Sequence, residues 1–69
     1  MLAEVRQIEA ERIRLRLSKA EVARRAGCHP VPVAFWLTGN KDPNVRNLRA
    51  LAAAVGFRLQ LVPVETPEL

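Results

Sequence analysis

The chain has 69 residues, a formal net charge of +4 and 49% hydrophobic residues, which fits one domain with a marginal core and excludes a disordered chain. Its single cysteine, Cys28, excludes an internal disulfide and a cysteine-rich metal site, and no apolar run is long enough to span a bilayer. We therefore expect a cytoplasmic protein of the reducing cell interior, with no metal, other cofactor or membrane contact.

The first predicted element is a helix from about Ala3 to Arg16. Its apolar stripe would contain Val5, Ile8, Ile13 and Leu15. Residues 12–25 then carry six basic side chains and a single acidic one, Glu21. Such a patch attracts polyanions because each neutralised phosphate releases counterions. A solvated helix face or an acidic protein partner explains the same charge, so charge alone leaves these alternatives open.

The second helix is predicted to begin after Ser18 and to end at Gly27. Ser18 and Glu21 have the spacing of a capping box, in which each side chain hydrogen-bonds the backbone N–H of the other residue. The apolar side of this helix would contain Ala20, Val22, Ala23 and Ala26.

The third helix is predicted to begin at Pro30, with His29 as its N-cap, and to end at Gly39. Pro30 and Pro32 are compatible with a helix here because N–H groups in the first turn have no partner inside the helix. Its inward face would contain Val33, Trp36 and Leu37. We expect Trp36 to pack in the core and Cys28, in the preceding turn, to be a buried thiol.

The fourth helix is predicted to follow the N-cap Asn44 and to end at Gly56. Its inner stripe would contain Val45, Leu48, Leu51, Ala52 and Val55. Beyond Gly56 the apolar period changes to that of a strand, over about residues 57–62. The predicted domain therefore covers residues 1–62, and residues 63–69 form a flexible tail.

Residues 12–39 combine two short helices, a tight turn at Gly27 and a small residue, Ala23, where the helices cross, as in a helix-turn-helix. The run from Arg12 to Gly27, the turn Trp36-Leu-Thr-Gly39 and the later positions Pro43, Leu48, Leu51, Ala52 and Val55-Gly56 resemble the phage repressor/Cro-type (Xre) helix-turn-helix family. The resemblance covers roughly residues 8–57. It implies a mostly α, four-helix domain that binds double-stranded DNA. With one histidine, one cysteine, no glycine-rich phosphate loop and no clustered carboxylates, we expect no catalysis.

The resemblance also implies which residues touch DNA. In this family the start of the third helix contacts base edges in the major groove, and the flanking segments contact phosphates. The implied base contacts are His29, Pro30, Val31, Pro32 and Phe35. The implied phosphate contacts are Arg12, Ser18, Lys19, Thr38, Asn40 and Lys41.

Two features depart from the family pattern. The base-contacting positions are nearly apolar, whereas relatives carry side chains that hydrogen-bond to bases. Val31, Pro32 or Phe35 would then contact thymine methyl groups, and His29 could donate to a base acceptor. Shape readout and phosphate contacts would supply the remaining specificity and affinity. Leu37 stands where the family commonly has a glutamate paired with the arginine equivalent to Arg12. Without that acceptor we expect Arg12 to reach phosphate more freely.

An isolated strand of about six residues is unstable without a ladder partner. We expect residues 57–62 to pair with the same segment of a second copy about a twofold axis, through Phe57, Leu59 and Leu61. Some antitoxins of the family, such as the HipB-like ones, have a similar segment. The alternative at this position is a fifth helix, against which Pro63 and the alternating pattern argue.

Three functions are compatible with this sequence. The first is a homodimeric transcriptional regulator, a repressor, that binds an inverted-repeat operator. The second is an antitoxin with the same DNA-binding dimer, which also binds a toxin protein and autoregulates its operon. The third is a protein-interaction module that uses Phe35 and its neighbours without DNA.

Overall fold

The computed structural model describes residues 1–65, and these contain four α-helices. The helices are α1 (Ala3–Arg14), α2 (Lys19–Ala26), α3 (Pro30–Thr38) and α4 (Val45–Ala54). The mostly α, four-helix fold predicted from the sequence is confirmed. Helix α1 ends two residues before the predicted boundary, because Leu15 caps it and Arg16 adopts a left-handed φ of 59°.

Most of the other helix ends follow the predicted local signals, although α4 ends at Ala54, two residues before Gly56. Only the serine half of the predicted capping box forms, because the Glu21 carboxylate binds Arg24 and Arg25 instead. The Ser18 hydroxyl accepts a hydrogen bond from the Glu21 N–H at 3.0 Å, and the Asn44 side chain accepts one from the Asn47 N–H at 2.8 Å. Gly27 and Gly39 end α2 and α3 with φ of 68° and 84°, a region where a side chain would be strained. These caps fix the lengths of the two central helices.

The core lies between the four helices, each of which contributes one apolar stripe. Its members are almost completely buried: Val5, Ile8, Val22, Ala23, Val33, Leu37, Leu48, Leu51, Ala52, Ala54 and Val55. Cys28, expected as a buried thiol, is half-buried, and Cys28 and Trp36 pack against the edge of this cluster. Burial of this apolar surface is the main force that holds such short helices together.

Four predicted apolar-face positions are wrong. Ala20, in the first turn of α2, is exposed. Ile13 and Leu15 lie at the end of α1 with 59% and 39% of their surface exposed, and Val45 in the first turn of α4 is 62% exposed. Each of these residues lies at or just beyond a helix end. The apolar period continues there, but the side chains do not join the core cluster.

Residues 57–62 form no strand within the described chain. The Phe57 N–H donates to the carbonyl oxygen of Ala52 at 2.8 Å, and Leu59 packs against the core. Strand pairing between two copies therefore stays a prediction. Part of the predicted tail, residues 66–69, lies outside the described residues. Within residues 1–65, no helix has the length and apolar content needed to cross a bilayer.

Candidate nucleic-acid interface

Helices α2 and α3 form a compact unit around a three-residue connection. Val22 and Ala23 of α2 and Val33 of α3 are at most 1% exposed. The Cys28 N–H donates to the Ala23 carbonyl oxygen at 2.9 Å, so the chain turns tightly at Gly27. This packing fixes the angle between the helices and leaves one side of α3 uncovered.

The start of α2 combines a capped turn with a positive charge. Ser18 is exposed and its hydroxyl accepts a hydrogen bond from the Glu21 amide, while Lys19 is half-buried. The first amides of a helix have no partner within it and carry the positive end of its dipole. This end of α2 therefore suits an anion such as a phosphate.

The start of α3 exposes apolar side chains. His29 is its N-cap and makes no capping hydrogen bond, and Pro30 occupies the first helical position as predicted. Of the five residues predicted to contact bases, one is half-buried, Pro32, and four are exposed: His29, Pro30, Val31 and Phe35. The sequence therefore identified side chains that the fold leaves accessible.

The loop after α3 exposes polar side chains, while its backbone amides make hydrogen bonds within the protein. The amides of Asn40 and Lys41 donate to the Phe35 carbonyl oxygen at 3.0 and 3.4 Å, and both side chains are exposed. The Thr38 hydroxyl lies 2.9 Å from the Ala34 carbonyl oxygen, to which it donates. Thr38 would have to rotate to donate to a phosphate.

The family model for helix-turn-helix proteins matches residues 8–62 of the 69-residue chain. The chain belongs to the phage repressor/Cro-type (Xre) helix-turn-helix family. It is a DNA-binding regulator of this family, a family that is not typically enzymatic. No curated protein and no solved structure matches it.

Most of the positive charge of this Xre-type regulator between residues 12 and 25 is paired internally. Arg14 binds Glu11, and both Arg24 and Arg25 bind Glu21. Hydrogen bonds from Arg24 and then Arg25 lower the pKa of Glu21 to about 2, so this carboxylate is charged at neutral pH. Among residues 1–65, two of the six cations form no ion pair: Arg16 and Lys19.

Arg12 is held in place by an acceptor that the sequence interpretation did not consider. Its guanidinium binds both carboxylate oxygens of Glu9 at 2.7 Å and donates to the Leu17 carbonyl oxygen at 2.7 Å. The Arg12 side chain is 15% exposed, and the hydrogen bond that it donates to Glu9 raises its pKa. Leu37, in place of the family's glutamate, is 1% exposed and belongs to the core.

A simple sequence signal could have identified these pairs. Each carboxylate precedes its arginine by three residues (Glu9–Arg12, Glu11–Arg14 and Glu21–Arg24), which places the two side chains on neighbouring turns of a helix. Counting from Glu9 adds two carboxylates to the patch and lowers its net charge to +3. The free cations are therefore fewer than the basic residues suggest.

The C-terminal segment of this regulator lies against α1 and α4 with an uneven exposure. Phe57 is 41% exposed, Leu59 is half-buried, and Leu61 is 98% exposed. A groove of about 370 Å³ lies beside the segment and is lined by residues of α1, α4 and the segment itself, Arg49 among them, but by none of α2 or α3. The predicted dimer residues thus lie apart from the α2–α3 unit.

Proposed function

We propose that the protein is a repressor that binds an inverted-repeat operator as a homodimer, with α3 in the major groove. The observation that carries this proposal is the rigid α2–α3 unit, whose buried side holds the two helices while α3 keeps Val31 and Phe35 exposed. A dimer that occupies an operator excludes other proteins from the same DNA. Repression is therefore the effect we propose.

The phosphate contacts we propose come from both sides of α3. The Ser18 hydroxyl accepts from the Glu21 amide and can still donate its own proton to a phosphate oxygen. Lys19 adds a charge at the same helix end, and Asn40 and Lys41 extend from the loop after α3. Two further candidates must first break a hydrogen bond within the protein before they can bind a phosphate. Arg12 is bound to Glu9, and Thr38 is bound to the Ala34 carbonyl oxygen.

The dimer we propose forms through residues 57–62. Their backbone has no ladder partner within the described chain, and an almost fully exposed Leu61 favours burial against a second copy. A twofold axis would place two copies of α3 about 34 Å apart, one turn of the double helix. Each copy would then contact one half-site.

Selection from a random duplex library tests the operator. We expect the bound pool to converge on an inverted repeat whose half-sites are about 10 base pairs apart, centre to centre. Footprinting of a selected site should show protection of both half-sites on one face of the helix. A pool that stays random, with salt-independent binding, would refute the proposed function.

A charge-removal pair tests the phosphate contact of Lys19. Lys19→Ala should weaken binding to all duplexes equally and reduce the slope of log affinity against log salt by about one. Arg49→Ala removes one charge from the groove that α2 and α3 do not line, so we expect an unchanged slope. Equal slopes for the two variants would contradict the assignment of Lys19.

A further inference from the structure

The exposed side of α3 carries almost only hydrocarbon. Val31 and Phe35, one helical turn apart, are 57% and 45% exposed, and Ala34 and Thr38 complete this outer face. Within α3, Pro30–Thr38, no side chain is charged. A face of this composition is costly in water, so it favours a partner that also presents apolar groups.

This face offers few free hydrogen-bond donors, because its one hydroxyl already donates within the helix. The one proton of the Thr38 hydroxyl is directed at the carbonyl oxygens of Ala34 and Phe35, at 2.9 and 3.2 Å. Pro30 and Pro32 have no N–H, so of the first three helical amides only that of Val31 exists. The outer face of α3 therefore cannot make the paired hydrogen bonds by which polar side chains identify bases.

The charges around α3 favour a polyanion over an apolar protein surface as its partner. Lys19 at the start of α2 and Lys41 in the loop after α3 flank the face along the chain, and neither forms an ion pair among residues 1–65. An apolar face with free cations in the segments before and after it suits the major groove, where base edges lie between two phosphate backbones.

One apolar group is available on base edges in that groove. It is the 5-methyl group of thymine, and 5-methylcytosine presents the same group at the same ring position. Apolar side chains set against any other edge would leave a base donor or acceptor without a partner, which is unfavourable. We propose that the outer face of α3 recognises pyrimidine 5-methyl groups, with Val31 and Phe35 as the specificity-determining residues.

This inference rests on the proposed function and adds the chemistry of the bases. Residues four apart on a helix are separated by about 6 Å along its axis. Successive bases of a strand are about 3.4 Å apart. Val31 and Phe35 therefore contact methyl groups about two base steps apart in each half-site.

The test uses the operator recovered by selection, with single thymines replaced by uracil. This change removes the methyl group and keeps every hydrogen-bonding group of the base pair. We expect roughly a fourfold loss of affinity for each contacted methyl, the value of one buried carbon. Uracil operators that bind as tightly as the thymine operator would overturn the inference, while sequence-specific binding itself would leave the proposed function intact.

A second arm distinguishes the two sources of the methyl group. Random libraries with and without 5-methylcytosine are selected in parallel. Thymines recovered from both libraries at the contacted positions support thymine as the source, and 5-methylcytosine at those positions in the methylated library supports the modified base. Cytosine and 5-methylcytosine binding equally at a contacted position would overturn methyl recognition there.

Two variants assign the contacts to residues. The uracil penalty is the loss of affinity when one thymine of the operator is replaced by uracil. In Phe35→Ala this penalty should vanish at the position that Phe35 contacts and persist at the position of Val31, and the reverse should hold for Val31→Ala. Val45→Ala removes a similarly exposed valine from α4 and should leave every penalty unchanged. Because these side chains are exposed, we expect all three variants to keep the wild-type circular dichroism spectrum. Unchanged penalties in both α3 variants would overturn the assignment.

Discussion

At the scale of single residues, Glu9 replaces the ion-pair partner that the family usually places on the third helix. In this chain that position is Leu37, which is buried, and Arg12 turns to a carboxylate on its own helix. The sequence analysis predicted a freer Arg12 because it compared only position 37 with the residue that the family usually has there. It could not show that a carboxylate three residues earlier compensates.

A matched pair of variants measures what this replacement contributes. Glu9→Gln should lower the free energy of unfolding by about 1–2 kcal/mol, because it weakens the hydrogen bonds of a guanidinium that is largely shielded from water. Glu11→Gln weakens a pair of the same i, i+3 spacing, but its partner Arg14 is 69% exposed, so it should lower the free energy of unfolding by less than Glu9→Gln does. Urea unfolding of both variants measures the two free energies of unfolding. Equal decreases in the two variants would contradict a structural role for Glu9.

At the scale of elements, the sequence predicted helix ends better than helix faces. Ser18, Asn44 and the terminal glycines act within one turn of the backbone, so their effect is visible in a short window of sequence. The exposure of Ile13 and Val45 depends on where neighbouring helices end in space. Periodicity contains no information about that distance.

The contact between α2 and α3 provides the test at this scale. Ala23 is 1% exposed, and the sequence predicts that α2 and α3 cross there, so Ala23→Leu should lower the free energy of unfolding by about 1–3 kcal/mol. Ala53→Leu adds the same atoms to an exposed position of α4 and should change it by less than about 0.5 kcal/mol. Thermal unfolding of the two variants compares their stabilities. A tolerated leucine at position 23 would mean that the helices do not meet closely there.

At the scale of the whole molecule, the sequence predicted the family and the accessible side of α3 but overestimated the free positive charge. The dimer is a property of two chains, so neither periodicity nor one folded chain tests it. The unequal exposure of Leu59 and Leu61 still sharpens the experiment. Leu59 packs against its own core, whereas a change at Leu61 leaves that core intact.

Sedimentation velocity of two aspartate variants tests the dimer. Leu61→Asp should yield a folded monomer, because it places a charge within the proposed strand pair without touching the core. Val64→Asp alters a residue that is 79% exposed beyond the proposed strand and should remain dimeric. A wild-type protein that sediments as a monomer at micromolar concentration would refute pairing through residues 57–62.

The two prolines at the start of α3 also have a thermodynamic consequence. Pro30 and Pro32 limit the conformations available to the unfolded chain, and the packing of Val33 and Leu37 holds the helix from inside. Helix α3 is thus preorganised before it meets a ligand. Its backbone would therefore lose little conformational entropy on binding, which favours the proposed recognition through weak apolar contacts.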